Sequence, residues 1–357
     1  MFKSLLFLSI LLPQVALGLD RLAPFASMAC AEQSKTNCYP GVVVGVVDGD
    51  NVSFRTFGSS GRETLPLDEH SIFEIASVSK ALTGLAIGML HAQGKIDMTK
   101  VVPSGTPLVL PKTHQNSLRW LDLVQHRSGF PRIPNSMSQS PNPMQPYESF
   151  GLDALNGYFA SATDIKPAPA DHAYSNTGAG VAGYLAASVH KSSFDRMLQD
   201  LYLNKLGMND TRTERATTAK ERIVQGHING EKAELWKFSH DDVFVGAGGL
   251  LSTAADLSKL LQVIVYQSDE QVNLAMRVHH ENSFEIQPGF NIGLFWMDLT
   301  NSGVTWHNGG SFGMQSFVGF NLQKKRAIVV LANAMLISAD GEIDSRIDVE
   351  SIKILAE

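Results

Sequence analysis

The chain has 357 residues, 44% apolar, 18% charged and 8% aromatic, with a formal net charge of −6 at pH 7. This is the composition of an ordinary globular protein, long enough for one large domain or two smaller ones. The mild acidity gives no electrostatic basis for nucleic acid or an anionic membrane as partner, and no internal repeat or low-complexity tract is present.

In chain order, residues 1–18 read as a signal peptide. Lys3 supplies the positive start, Leu5 to Leu12 a short apolar run, and Ala16-Leu17-Gly18 small residues for cleavage. The run is far below the ~20 residues of a membrane span. The expectation is export, periplasmic or secreted, of a mature chain that starts near Leu19 and has no transmembrane segment. Cys30 and Cys38 are the only cysteines. In an oxidising compartment a structural disulfide between them is expected. A lipid-modified Cys30 and a two-cysteine metal site are the weaker alternatives: Cys30 lies well past the apolar run, and no further ligand stands nearby.

Gly41 to Asp48 and Asn51 to Gly58 are β-branched runs around Asp48-Gly49-Asp50, which predicts a hairpin. Within residues 71–92, Val78, Ala81, Leu82, Leu85, Ala86 and Met89 recur at helical spacing, ahead of Gly94 as a stop. That helix is apolar almost all round and should be buried. From about residue 100 to 240 short helices and long loops follow, and Pro131 to Tyr147, with five prolines, reads as an irregular surface loop. Strand patterns return at Asn291 to Leu299, Val304 to His307, Met314 to Asn321 and Arg326 to Ala332, and an amphipathic helix over Ile343 to Leu355 closes the chain.

This order predicts an α+β fold. One antiparallel sheet is drawn from both ends of the sequence and flanked by N- and C-terminal helices. The sheet subdomain covers about 19–75 and 245–357, and an inserted all-helical subdomain about 76–244. A site at their seam is the default expectation.

Ser77-Val78-Ser79-Lys80 is an S-x-x-K motif at the start of the buried helix. The spacing puts both side chains on one face. A serine hydroxyl needs a base to become a nucleophile, and a desolvated lysine can serve because burial disfavours its ammonium form. The motif alone is weak, and Ser188-Val189-His190-Lys191 matches it too. That copy lies toward the end of a predicted helix and leads into polar residues, where a lysine surrounded by water activates nothing. Two further elements support the first copy. Tyr174-Ser175-Asn176 gives a Y-x-N motif, and Trp306-His307-Asn308-Gly309-Gly310 ends a predicted strand.

Other patterns lack their required context. Gly309-Gly310-Ser311-Phe312-Gly313 matches the G-x-S-x-G elbow, but a strand follows it where a helix is needed. Gly178, Gly180 and Gly183 spell G-x-G-x-x-G without a preceding strand, and Gly88 to Lys95 only approximates a P-loop. Close helix packing accounts for both. His279-His280 has no neighbouring carboxylate at metal spacing in the sequence and reads as a solvated pair.

Taken together, S-x-x-K, Y-x-N and the His307-Asn308-Gly309 triplet resemble the serine β-lactamase and penicillin-binding protein family. The resemblance is strongest to its class C β-lactamases, D-Ala-D-Ala peptidases and β-lactamase-like esterases. Residues IFEIASVSKALTG, LVQHRSGFP from Leu123, AGGLLSTAADLSKL from Ala247 and VVLANA from Val329 extend it over nearly the whole mature chain.

The resemblance implies that Ser77 is acylated with Lys80 as proton acceptor, and that Tyr174 shuttles protons to the leaving group and from water. It implies that Asn176 binds the acyl amide and that the backbone N–H groups of Ser77 and Gly310 form the oxyanion hole. It requires no cofactor and no metal. The triplet departs from the commoner Lys-Thr/Ser-Gly, since His307 replaces a permanent cation and Asn308 a hydroxyl.

The expected activity is serine acyl hydrolysis of D-Ala-D-Ala-type peptides or β-lactams. A carboxylesterase is the first alternative, and a penicillin-binding sensor that acylates without turnover the second.

Overall fold

The computed structural model describes residues 19–30, 37–140 and 142–357. The expected signal peptide lies outside the described residues. Cys30 and Cys38 are joined as a disulfide, with Cα atoms 4.9 Å apart. Among the described residues no helix is long and apolar enough to cross a membrane.

One antiparallel sheet of eight strands organises the molecule. Its spatial order is Asn51–Gly58, Gly41–Asp48, Arg326–Ala332, Gln315–Asn321, Val304–Gly310, Trp296–Leu299, Phe290–Gly293 and Phe284–Gln287. The N-terminal hairpin therefore pairs with the last strand of the chain, Val42 opposite Ala332 and Asp48 opposite Arg326. Sequence pattern reaches five of the six late strands with four predicted runs and leaves out Phe284–Gln287. It merges two of them, because Leu294 and Phe295 both take positive φ (46° and 66°) and turn the chain inside the expected Asn291–Leu299 run. Bulky residues carry no turn signal; both are buried, and the Phe295 N–H donates to the Val124 carbonyl.

Both faces of the central strands are covered, so their sequences read as continuous apolar runs instead of alternating ones. Val43, Val47, Val329 and Leu331 face the larger core, shared with helices Val78–Ala92, Asn176–His190 and Ala254–Tyr266. Val42, Val44, Val46 and Val330 face the smaller core. There Phe25 of helix Ala23–Met28 and Ile347, Ile354 and Leu355 of helix Arg346–Ala356 close the opposite side. Each such valine contributes on the order of 1.5–3 kcal/mol by burial.

The segment between the hairpin and the late strands is mainly helical but not wholly so. Arg212–Thr213 joins Phe73–Glu74 and Leu250–Ser252 in a three-stranded sheet, and Gly226–Ile228 pairs with Glu231–Ala233. These pieces are too short to leave a periodic signal. The Pro131–Tyr147 stretch is less superficial than its composition suggests. It makes a 3₁₀ turn at Asn135–Gln139 and buries Met137, Gln145 and Tyr147. Gly180 and Gly183 serve close packing: a Cβ at Gly180 would sit 2.6 Å from the Val243 carbonyl oxygen.

Candidate functional site

Every residue from Ser71 to Leu90 is buried except Ser77. The chain reaches Ser77 through Ala76, a non-glycine residue held at φ 42°, a conformation that costs on the order of 1 kcal/mol or more. The turn presents Ser77 at the N-cap of helix Val78–Ala92, half-buried, while the rest of the helix disappears into the core.

Lys80 follows one turn later, 0% exposed, with its Nζ 3.0 Å from Ser77 Oγ. Nζ also donates to the Ala247 carbonyl at 2.5 Å. That carbonyl is fixed because segment 246–250 is laced onto the helix. Thr83 Oγ1 donates to Gly246 O, the Leu250 N–H donates to Ser79 Oγ, and the Ile75 N–H donates to Leu250 O. Among the described residues no carboxylate neutralises the ammonium. Burial, reinforced by the positive charge of Arg132, drives the Lys80 pKa well below its ordinary value of 10.5. A neutral amine beside a serine hydroxyl is a competent general base.

Tyr174 completes the group. Its hydroxyl hydrogen-bonds Ser77, and its ring lies 4.9 Å from Lys80 Nζ and 5.0 Å from the Arg132 guanidinium carbon. Burial raises the Tyr174 pKa above 10.0, and the Ser77 hydrogen bond only partly opposes this. The phenol therefore keeps its proton and can donate it. The two shifts run in opposite directions: burial disposes Lys80 to lose its proton and Tyr174 to keep its own.

The segment that carries Tyr174 is held by the Leu123–Arg132 stretch. The Ala173 N–H donates to His126 O, the Ser175 N–H to His126 Nδ1 at 3.2 Å, Ser175 Oγ to Pro131 O, and the Asn176 N–H to Arg132 O. Asn176 opens helix Asn176–His190. Its Nδ2 donates to Tyr147 Oη at 3.0 Å, while its Oδ1 is buried without a partner among the described residues.

Strand Val304–Gly310 forms the far wall, and its alternation sorts the predicted triplet. His307 turns toward the site, 6.4 Å from Tyr174 ring to ring. It is buried, with Nδ1 2.6 Å from the Asn308 carbonyl and Nε2 without a partner among the described residues. Burial first, then the neighbouring Lys80, hold its pKa down to about 3. Gly309 faces the nucleophile; a Cβ there would lie 2.3 Å from the Ile75 carbonyl and 2.9 Å from the Ser77 nitrogen. Only glycine lets the strand approach the Ser77 backbone so closely.

Asn308 points the other way. Its Nδ2 donates to Asp348 on helix Arg346–Ala356 at 2.6 Å, so its side chain braces the back of the sheet. The sequence expectation put it among the substrate-binding residues; its side chain instead points away from Ser77, because successive side chains of a strand face opposite sides.

The structure also enlists residues that sequence motifs leave unassigned. His126 packs 4.5 Å from the Tyr174 ring, and Tyr147 stacks on Phe238 at 5.0 Å while accepting from Asn176. Glu74 accepts from Ser311 Oγ at 2.6 Å and from the Trp236 N–H at 2.5 Å. Burial lifts its pKa to about 7. Ser311 is thus a ligand of Glu74 in a hairpin between strands, not a nucleophile. Polar residues within apolar stretches, such as His126 in LVQHRSGFP, are the one sequence signal for this group.

The sequence model of the Beta-lactamase family matches residues 29–351, so the chain belongs to the β-lactamase family. It is 24% identical over 271 residues to a β-lactamase of Lysobacter lactamgenus, covering 75% of this chain and 64% of that protein. The chain thus spans just under two thirds of that relative's length. Among solved structures, a class C β-lactamase superposes with a TM-score of 0.74 at 19% identity, covering 95% of this chain and 96% of the other. A β-lactamase/D-alanine carboxypeptidase from Pseudomonas syringae gives 0.74 at 19% identity over 95% and 99%. At that identity the likeness establishes the shared fold.

Proposed function

We propose that the protein hydrolyses acyl substrates of the D-Ala-D-Ala peptide or β-lactam type through an acyl-Ser77 intermediate. The observation that carries this reading is Lys80, buried 3.0 Å from Ser77 Oγ without a counter-ion among the described residues. Neutral Lys80 takes the hydroxyl proton as Ser77 Oγ bonds to the acyl carbon. The backbone N–H groups of Ser77 and Gly310 stabilise the oxyanion, a contribution of about 3 kcal/mol for a well-placed donor. Tyr174 delivers a proton to the departing nitrogen. Lys80 passes the proton it accepted back to Tyr174; in the second half, water attacks the acyl carbon and yields a proton to the Tyr174–Lys80 pair, which returns it to Ser77 Oγ as the acyl–oxygen bond breaks. No cofactor is needed for either half. The unpartnered Asn176 Oδ1 favours an amide beside the scissile bond, because an amide N–H satisfies it where an ester oxygen cannot.

His307 favours a second reading, a carboxylesterase. Where a lysine would hold a substrate carboxylate, the neutral imidazole offers one hydrogen-bonding nitrogen and no charge. Turnover of nitrocefin, a D-Ala-D-Ala peptide and a short p-nitrophenyl ester, measured side by side, separates the two. Preference for the first two supports the amide reading; turnover of the ester alone establishes the second. Mass spectrometry of the quenched reaction should find the acyl group on Ser77, and a persistent adduct without turnover would identify a sensor instead of a hydrolase. Export of the mature chain after residue 18 belongs to the same proposal and is tested by the N-terminal sequence of the secreted protein.

A further inference from the structure

Away from Ser77, three side chains converge on one point. His279 and His280 lie near the end of helix Glu270–Glu281, and Asp298 stands on strand Trp296–Leu299. Their donor atoms all lie within 4.8 Å of one another. The sequence shows only a histidine pair; the sheet brings in the carboxylate that the pair lacked, and His279 is fully buried, not solvated.

We propose that His279, His280 and Asp298 bind one divalent transition-metal ion, with Zn²⁺ as the fitting probe. His279 Nδ1 faces the Gly293 carbonyl, which places the proton on Nδ1 and directs Nε2 at Asp298, 3.1 Å from its carboxylate. Two ligands on one tetrahedral zinc, each bonded at ~2.0–2.1 Å, stand about 3.3 Å apart, so this pair already has the spacing of a filled site.

Both are also oriented from behind, His279 by Gly293 O and Asp298 by Thr305 Oγ1, which donates to it at 2.6 Å. Such outer partners fix the tautomer and angle of metal-binding side chains. His280 is exposed, with its ring 4.7 Å from that of His279, so it can swing in without disturbing the core.

The cluster opens on a cavity of about 320 Å³ that Ser283, Asn291 and Thr305 also line, leaving room for water as a fourth ligand. Two imidazoles and one carboxylate suit zinc better than calcium or magnesium, which prefer all-oxygen shells. The ion would clamp the helix to the sheet. In its absence His279 and Asp298 make only a buried side-chain contact, Nε2 to carboxylate at 3.1 Å, which is the competing account.

Calorimetric titration of the full, chelator-stripped chain with Zn²⁺ decides between them. One saturable equivalent is expected, with affinity reduced at least about tenfold in His280→Ala and in Asp298→Asn. Ser77→Ala should bind zinc as the wild type does, whatever it does to turnover. His280→Ala alters an exposed residue, and its circular dichroism and urea midpoint without metal should match those of the wild type. Absence of saturable binding, or unchanged affinity in both variants, overturns the proposal and leaves the His279–Asp298 contact as the whole role of these residues.

Discussion

Ser77-Val78-Ser79-Lys80 and Ser188-Val189-His190-Lys191 share the same spacing of serine and lysine, at opposite ends of two fifteen-residue helices. At the first, the helix begins: its free N–H groups and positive dipole end surround Ser77, and Lys80 points into the protein. At the second, the helix ends. Ser188 Oγ donates to the Tyr184 carbonyl one turn back, and Lys191 is an exposed C-cap residue at φ 59°. The chemistry of the motif therefore belongs to its position in the helix and its burial, not to its letters.

The largest effect should come from Ser77→Ala, with loss of turnover by about 10⁴-fold or more and no covalent adduct by mass spectrometry. Retention of wild-type rates would remove the basis for the proposed mechanism. Lys80→Arg comes next, because arginine keeps its proton throughout the accessible pH range. About a 10³-fold fall in kcat is expected, together with destabilisation of about 3 kcal/mol from an unpaired buried charge, read from the urea midpoint. Lys191→Arg should change neither quantity.

Tyr174→Phe should lower kcat by about 10²–10⁴-fold, the usual contribution of a positioned proton donor, with little change in folding stability. A stability loss equal to the loss in activity would mark Tyr174 as structural.

Histidine 307 gives a smaller, pH-dependent effect. Its folded pKa of about 3 lies below the unfolded value near 6.5, so between them the unfolded chain binds the extra proton. Its contribution to stability is thus present above about pH 6.5 and lost as pH falls toward 3. Glu74, lifted to about 7, works in the opposite direction: its contribution is present below its unfolded value near 4.3 and is lost as pH rises through 7. Urea midpoints at pH 7 and pH 4 should differ less in His307→Gln than in the wild type. The smallest effects belong to the second motif, where Ser188→Ala and Lys191→Ala should each leave turnover unchanged and stability within about 0.5 kcal/mol. A large loss in either would erase the distinction between the copies.

Much of this was legible in the sequence because it depends on neighbours along the chain. The hairpin around Asp48-Gly49-Asp50, the apolar helix after Ser77 and the late strands follow from period and turn chemistry. The Ser77–Lys80 distance follows from helix geometry, and the order of the motifs pointed to the family. Reading failed where partners come from elsewhere. Nothing local predicts the turn at Leu294-Phe295, which is held by burial and a hydrogen bond to Val124. Nothing in His307-Asn308-Gly309 says that the middle side chain leaves the site for Asp348, since that depends on which strand face meets helix Val78–Ala92.

The sequence by itself determined the α+β order of elements, the pairing of Ser77 with Lys80, and histidine at residue 307. Tertiary structure decided the protonation states. A lysine becomes a base only when water and carboxylates are kept from it, and a tyrosine keeps its proton only when its anion is desolvated. Both conditions are set by residues far apart in the chain. The same distant packing gives His279 and His280 the carboxylate of Asp298, because coordination and desolvation are properties of space, not of order along the chain.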